Sequence, residues 1–171
     1  ELLSPVGSFE NLQAAIQAGA DAIYFGVEQL NMRAKSINSF ALDDIARIRA
    51  ICVRENIKAY ITLNTVMYEH DMQLLKTILQ EVKKQEINAV IAADFAVMEY
   101  CKQLNIPVHI STQANISNIE SVKFFANFSD AVVLARELTL KQVRQIADEI
   151  VRKKIKGISG RLMRIEVFVH G

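Results

Sequence analysis

Cysteine is scarce in this sequence of 171 residues, which contains only Cys52 and Cys101. Their spacing fits no C-x-x-C motif, and each falls on the apolar stripe of a predicted helix. We therefore expect two buried, reduced thiols. Reduced thiols are typical of a cytosolic protein, so we expect a cytoplasmic location. The pattern excludes a zinc site built from cysteines, and we expect no metal ion within this chain.

Excess charge of one sign and long apolar runs are also missing. The formal net charge is +1, so no overall field favours or opposes binding to nucleic acid or to an anionic membrane. No apolar run approaches the roughly 18 to 20 residues needed to span a bilayer, and no signal peptide is present. We therefore expect no membrane partner. The one basic run, residues 152–164, is typical of a solvated helix end and loop, with phosphate contact as the alternative.

Generic catalytic signatures are absent as well. The sequence has no G-x-S-x-G elbow, no H-E-x-x-H motif, no P-loop and no G-x-G-x-x-G after a strand. Ser111 and His109 do not form a nucleophile and base merely by standing close in the chain, because such groups must meet in hydrogen-bond geometry. The sequence motifs alone therefore do not identify a reaction.

What the sequence does contain is a repeated strand pattern, clearest at residues 107–115. Because side chains alternate along a strand, His109, Ser111 and Gln113 are predicted to share one face, with aliphatic residues on the other. Residues 59–64 and 164–170 repeat this pattern, and their polar groups gather toward the C-terminal ends. In a parallel α/β barrel, aliphatic faces meet the outer helices and the other faces line a lumen whose upper layers hold the chemistry.

Seven such strands alternate with six predicted helices. The strands are predicted at residues 1–5, 22–25, 59–64, 89–92, 107–115, 131–134 and 164–169. Strict alternation requires parallel strands with right-handed crossovers. We predict an α/β fold, a parallel TIM-like barrel of about seven strands, with an open doubly wound sheet as the alternative. A complete barrel takes eight strands, so we expect an incomplete barrel whose last unit is missing and whose open edges self-associate.

Several helix ends are predicted from local signals. Ser8 and Asp71 are predicted to cap the starts of two helices, and Gly19 to close the first of them. Thr139 and Gln142 have the spacing of a capping box, as do Ser117 and Glu120. Residues 151–161 are basic and contain two glycines, which predicts a loop.

The candidate binding residues follow the predicted strands. They are Asn31, Arg33, Asn64, Asp94, Ser111, Gln113, Asn115, Arg136, Glu137 and His170. Loops after barrel strands commonly carry function. Each residue also has a structural alternative: the asparagines can tie loops, and Arg136 and Glu137 can pair with each other or with neighbouring strand ends. His109 is predicted to be an interior histidine, and no catalytic residue is assigned.

Seven ordered motifs stand out at residues 1–8, 18–26, 31–34, 62–65, 109–115, 134–138 and 166–171. Together they resemble the N-terminal part of peptidase family U32, the collagenase-like peptidases. The resemblance implies a TIM-like barrel followed by further C-terminal regions. In the family, the element that matches Val169-His170-Gly171 leads into cysteines, which in some members hold an iron–sulfur cluster. On this resemblance, residues 1–171 form a single N-terminal barrel-type domain that stops before the cysteine-containing region and carries no cofactor of its own.

The resemblance leaves three functions open. Some members resemble RNA base hydroxylation factors that act on tRNA or rRNA, in which case Asn64, Gln113, Arg136 and His170 are expected to bind the base or a small-molecule donor. A cluster beyond Gly171 would then perform the redox step. The family name implies proteolysis instead. The third hypothesis is a binding scaffold whose chemistry comes from other segments. We favour RNA hydroxylation, because no nucleophile or metal set is recognisable in the sequence.

Overall fold

The computed structural model describes residues 1–28 and 40–169, in which seven β-strands alternate with six α-helices. The strands are β1 (Leu3–Pro5), β2 (Ala22–Gly26), β3 (Lys58–Leu63), β4 (Ala89–Ala92), β5 (Val108–Ile110), β6 (Ala131–Val133) and β7 (Arg164–Glu166). The helices are α1 (Phe9–Gln17), α2 (Asp44–Arg54), α3 (Met72–Lys84), α4 (Phe95–Gln103), α5 (Ile119–Phe125) and α6 (Leu140–Arg152). This order is the predicted one.

The chain divides into two compact units, Glu1–Ile106 and Pro107–Gly171. In the first unit, β1, β2, β3 and β4 pair in that order, and every pair is parallel. In the second unit, β5 pairs with β6 and β6 with β7, again in parallel. Parallel neighbours joined through helices confirm the predicted α/β class.

In the first unit, the strand face that was predicted to be aliphatic is buried. Ile23, Ile61, Leu63 and Val90 are fully buried, as are the inward-facing residues of α2 and α3. Those helix residues recur every three or four positions, and they are Ile45, Ile48, Cys52, Leu75, Ile78, Leu79 and Val82. Burying an aliphatic side chain of this size contributes roughly 1.5–3 kcal/mol, so this layer accounts for much of the unit's stability.

Five helix-to-strand corners share one backbone geometry. In each, one residue with positive φ follows the helix, and the next residue is apolar. The positive-φ residues are Gly19, Asn56, Glu86, Asn105 and Lys154, and the apolar residues are Ala20, Ile57, Ile87, Ile106 and Ile155. The N–H of each apolar residue donates to the carbonyl five residues earlier, at N···O distances between 2.8 and 3.1 Å. This is the Schellman motif, which satisfies the last carbonyls of a helix. Gly19 was predicted to end α1, and the structure confirms it.

Local capping predictions had mixed outcomes. Ser8 accepts a hydrogen bond from Asn11 N, and Thr139 and Gln142 form the predicted capping box. The prediction for Ser117 and Glu120 was wrong, because Asn118 is the N-cap of α5 and accepts from Ser121 N at 2.9 Å. Asp71 precedes α3, but its carboxylate accepts from Tyr68 N and so closes the preceding 3₁₀ turn.

Two predicted strands end early. β5 stops at Ile110, because Ser111 caps a 3₁₀ turn at Thr112–Ala114 and its Oγ accepts from Gln113 N. The side-chain alternation predicted for His109, Ser111 and Gln113 therefore breaks before Gln113. β7 likewise ends at Glu166 instead of reaching residue 169. The loop predicted from residue 151 begins later, since α6 continues to Arg152.

Candidate functional site

The predicted polar tip after β5 is a tight turn at the carboxyl edge of the second unit. Ser111 is buried, whereas Gln113 and Asn115 are exposed. Asn115 has a left-handed backbone (φ 51°), and its N–H donates to Thr112 O at 2.9 Å. Asparagine tolerates this conformation better than most residues, which gives Asn115 a structural role in closing the turn. Gln113 and Asn115 are therefore the exposed residues of this turn.

Arg136 and Glu137 follow β6 at the same edge. A bridge between Ile116 and Leu134 joins the loop after β5 to the end of β6. Arg136 and Glu137 are both exposed, and the Arg136 guanidinium carbon lies 5.8 Å from the centre of the Phe168 ring. This separation is within the range of a cation–π contact. Because Phe168 is itself 46% exposed, part of its surface remains accessible to a ligand.

Below this edge, His109 of β5 meets two side chains of β7. His109 is 3% exposed, its Nδ1 lies 2.7 Å from Glu166 Oε1, and Arg164 Nη2 lies 3.2 Å from its Nε2. The strand register explains this contact across β6: His109 is opposite Ala131, and Ala131 is opposite Arg164. The small side chain of Ala131 leaves room for the larger groups to meet. The prediction of an interior histidine agrees with this burial.

The contacts place the two ring nitrogens of His109 in different surroundings. Arginine has only donors, so Arg164 can only donate to Nε2, whereas Nδ1 faces Glu166 Oε1. The other carboxylate oxygen, Glu166 Oε2, is buried and has no hydrogen-bond donor among the described residues. Since buried acceptors are nearly always satisfied in folded proteins, this oxygen is an exception beneath the carboxyl edge.

Sequence reasoning missed Arg164, Glu166 and Phe168 as site residues. Both Glu166 and Phe168 lie in the segment 164–170, one face of which was predicted to line a lumen, but nothing local indicated that Glu166 would reach His109. The one available indication of this contact was the register of the neighbouring strands. Aligning the polar faces of residues 107–115 and 164–170 across a small residue of the intervening strand would have suggested the contact.

The candidates of the first unit have a different environment. Asp94 is the N-cap of α4: one carboxylate oxygen accepts from Ala96 N at 2.8 Å and the other from Met67 N at 3.2 Å. Its carboxylate therefore holds the loop after β3 against the start of α4. Asn64 directly follows β3 and is half-buried. The predicted candidates Asn31, Arg33 and His170 lie outside the described residues.

The two thiols are unsuited to nucleophilic chemistry. Cys52 and Cys101 are free and buried, which confirms the prediction. Burial raises the pKa of Cys52 to about 11 and that of Cys101 to about 12. A thiolate is the reactive form, so both groups are inert near neutral pH. Within residues 1–28 and 40–169, no three His, Cys, Asp or Glu side chains cluster closely enough to hold a metal ion, and no helix is long and apolar enough to cross a bilayer.

A family model describes most of the chain. The model for peptidase family U32 matches residues 7–171. The chain belongs to peptidase family U32. This membership confirms the resemblance drawn from the seven motifs.

Curated U32 relatives carry names of two kinds. The chain is 49% identical over 171 residues to a collagenase of Porphyromonas gingivalis. It is 30% identical over 174 residues to tRNA hydroxylation protein P1 of Bacillus subtilis, and 34% identical over 175 residues to the 23S rRNA 5-hydroxycytidine C2501 synthase of Escherichia coli. Each match covers the whole of this chain but only 41%, 38% and 24% of the respective relative. The chain therefore spans less than half the length of these relatives.

Solved structures agree on the fold. A U32 peptidase matches with a TM-score of 0.72 at 14% identity, over 86% of this chain and 64% of that one. A mutant tryptophan synthase α-subunit from Pyrococcus furiosus matches with a TM-score of 0.57 at 14% identity, over 97% and 85% of the two chains. These neighbours are TIM-barrel-like, and they confirm the predicted fold class.

Proposed function

We propose that this U32 chain is the N-terminal barrel region of a cytoplasmic protein that serves hydroxylation of a tRNA or rRNA base. The observation that carries the proposal is the Arg136–Phe168 pair at the carboxyl edge of the second unit. A half-exposed aromatic ring beside a guanidinium suits stacking of an unpaired base, which is the usual way in which proteins hold single-stranded RNA.

Polar groups at the same edge supply the complementary hydrogen bonds. Gln113 is exposed, and its side-chain amide contains both donors and an acceptor, while Glu166 Oε2 is an acceptor buried below it. Such groups match the edge of a nucleobase, whose amino and carbonyl groups require both kinds of partner. Together with the relatives that are named for tRNA and rRNA hydroxylation, this chemistry supports an RNA substrate.

The oxidative step needs groups from elsewhere. An iron–sulfur cluster is held by several cysteine thiolates, whereas this chain has two buried thiols with raised pKa values. These residues do not fit a cluster, and we assign no step to one here. In our proposal, the chain binds and orients the base, and any redox cofactor and small-molecule donor are held with the help of other segments.

The proposal is tested by nucleoside mass spectrometry of RNA from a strain that lacks the gene. Loss of a hydroxylated nucleoside, restored by the wild-type gene, is the expected result. The variant Phe168→Leu removes the aromatic ring but keeps apolar bulk, and we expect it to lower the modification about tenfold. Phe124→Leu is the matched control, because Phe124 is similarly exposed (51%) on α5. Unchanged RNA in the deletion strain would rule the proposal out.

A collagenase-like peptidase is the second candidate. It is favoured by the 49% identity to the Porphyromonas gingivalis collagenase. The decisive assay is digestion of denatured collagen by the purified intact protein, followed by mass spectrometry of the peptides. If cleavage copurifies with the protein and is lost in Phe168→Leu, the carboxyl edge of the second unit binds a peptide instead of a base.

A further inference from the structure

The second unit also carries a cluster of basic residues. Residues 152–164 contain six lysines and arginines and no acidic residue. The structure separates these cations into two groups. Arg152 and Lys153 lie 2.7 and 3.0 Å from Glu149, and their hydrogen bonds hold the pKa of Glu149 at about 2. Arg164 contacts His109, as described above.

The remaining three cations are exposed and unneutralised. Lys154, Lys156 and Arg161 have no carboxylate within ion-pair distance among the described residues. They belong to one hairpin, residues 154–162, which is closed by an antiparallel bridge between Lys156 and Leu162. We call this segment the basic hairpin.

The basic hairpin is held rigidly on the sheet. Gly157 packs so closely that a Cβ there would overlap Ser129 O and Asp130 Oδ1. Asp130 Oδ1 accepts from both Ser159 N (3.0 Å) and Ser159 Oγ (2.8 Å). Inside the turn, Gly157 N donates to Arg161 O at 2.9 Å, and Arg161 Nε donates to Ser159 Oγ at 3.1 Å. The cations are therefore presented by an ordered turn, whose conformation needs little further ordering when a partner binds.

We propose that the basic hairpin is a contact surface for the RNA phosphate backbone, an inference that rests on the proposed function and extends it. The chain as a whole is nearly neutral, so three neighbouring cations that form no ion pair with a described carboxylate make this hairpin a local site that favours a polyanion. The Nη atoms of Arg161 remain suited to paired hydrogen bonds with phosphate oxygens. The hairpin lies at the amino edge of β6, and this strand is three residues or roughly 10 Å long. A nucleic acid that places a base at the carboxyl edge must therefore follow the second unit over at least roughly this length for its phosphates to contact the hairpin.

The inference is tested by RNA binding of the intact protein across a series of salt concentrations. In the triple variant Lys154→Gln, Lys156→Gln and Arg161→Gln, we expect the affinity for tRNA to fall by at least about tenfold. The slope of log Kobs against log salt should shrink by roughly 2–3. The control, Arg54→Gln with Lys84→Gln and Lys102→Gln, removes the same charge from helix surfaces of the first unit. Melting temperatures of both variants verify that they fold.

The possible results separate this inference from the proposed function. If the wild type binds tRNA and the triple variant loses affinity and slope while the control does not, the basic hairpin contacts phosphate. If both variants bind like the wild type, or both weaken equally, the hairpin is not a specific contact and only this inference fails. If the wild type binds no RNA while hydroxylation still depends on the gene, the inference again fails alone. If neither RNA binding nor hydroxylation is found, both proposals fail.

Discussion

At the scale of single residues, His109 is the feature whose surroundings are most constrained. It is buried with a carboxylate on one side of its ring and a guanidinium on the other. A buried polar contact that loses one partner commonly costs about 1–3 kcal/mol, because the remaining groups are left without their hydrogen bonds. The His109 contacts therefore link β5 to β7 across the intervening strand β6. They also lie directly below the candidate site.

We expect His109→Ala to lower the free energy of unfolding by about 2–4 kcal/mol, because it leaves Glu166 and Arg164 without the ring between them. Urea denaturation followed by circular dichroism measures this value. His70→Ala is the matched control, since the His70 side chain is 80% exposed and its loss should change stability by less than about 0.5 kcal/mol. Equal midpoints for both variants would contradict the role given to His109.

The thiols make a second residue-scale prediction. Because burial raises the pKa of Cys52 to about 11 and of Cys101 to about 12, both remain protonated in the native state at pH 8. Disulfide exchange with Ellman's reagent should be slow for the native protein and fast in denaturant. Above pH 9 the unfolded thiols ionise while the native ones do not, so the thiols contribute a loss of stability as pH rises from about 9 to 11. Rapid labelling of either thiol before unfolding would contradict their burial.

At the scale of elements, local chemistry decided which predictions succeeded. The Thr139–Gln142 box was predicted because no neighbouring residue competes for the cap. For α5, Ser117 was chosen although Asn118 is a comparably good cap one residue later. β5 was predicted too long, because apolar alternation cannot reveal that Ser111 will bond to the next turn. His109 and Glu166 are 57 residues apart in the chain. Their contact depends on the register of the paired strands, which the local sequence pattern does not specify.

The capping box has a measurable contribution. Thr139→Ala removes the hydroxyl that accepts from Gln142 N, and we expect it to lower the free energy of unfolding by about 1 kcal/mol. Thr77→Ala is the control, because Thr77 lies within α3 and its hydroxyl donates to the Gln73 carbonyl one turn earlier. That substitution should be neutral or slightly stabilising, since alanine is the better helix former. A larger loss at Thr77 than at Thr139 would refute this assignment.

The repeated corner geometry predicts a gain of stability. Glu86 has φ of 53°, a conformation that costs an L-residue roughly 1–2 kcal/mol relative to glycine. Glu86→Gly should therefore raise the free energy of unfolding by about 0.5 kcal/mol, after the greater flexibility of unfolded glycine is allowed for. Glu99→Gly, inside α4, should instead lower it by about 1 kcal/mol. Chemical denaturation of the two variants should give midpoints that move in opposite directions.

At the scale of the whole molecule, the sequence was enough to predict the fold class, the strand order and the family. Alternating strands and helices gave the class, and seven ordered motifs gave the family. The spatial arrangement of the candidate site residues could not be predicted in the same detail, because these residues lie on separate loops. The structure brings some of them to one edge of the second unit, and it uses Asp94 and Asn115 to fix the backbone.

The sheet edges lead to a prediction for the chain expressed alone. β1 pairs with β2 and β7 pairs with β6, and beyond β7 the apolar residues Val167 and Val169 are 46% and 88% exposed. Unpaired edges with apolar neighbours favour association. We expect sedimentation velocity to show dimers or larger species at micromolar concentration, and Val167→Lys with Val169→Lys to reduce them. A monomer at all concentrations, with protected edge amides in hydrogen exchange, would exclude this association.

The five matching corners also carry a consequence for how such a chain can arise and be rebuilt. Five of the six helices end in the same pair of residues, one left-handed and one apolar, although the segments around them differ. A gene segment that encodes one strand, helix and corner can therefore be copied, exchanged or removed without a new solution for the junction. Duplication of a single ancestral segment would produce this regularity, and recombination at the corners is the route by which engineered hybrids of this chain should be made.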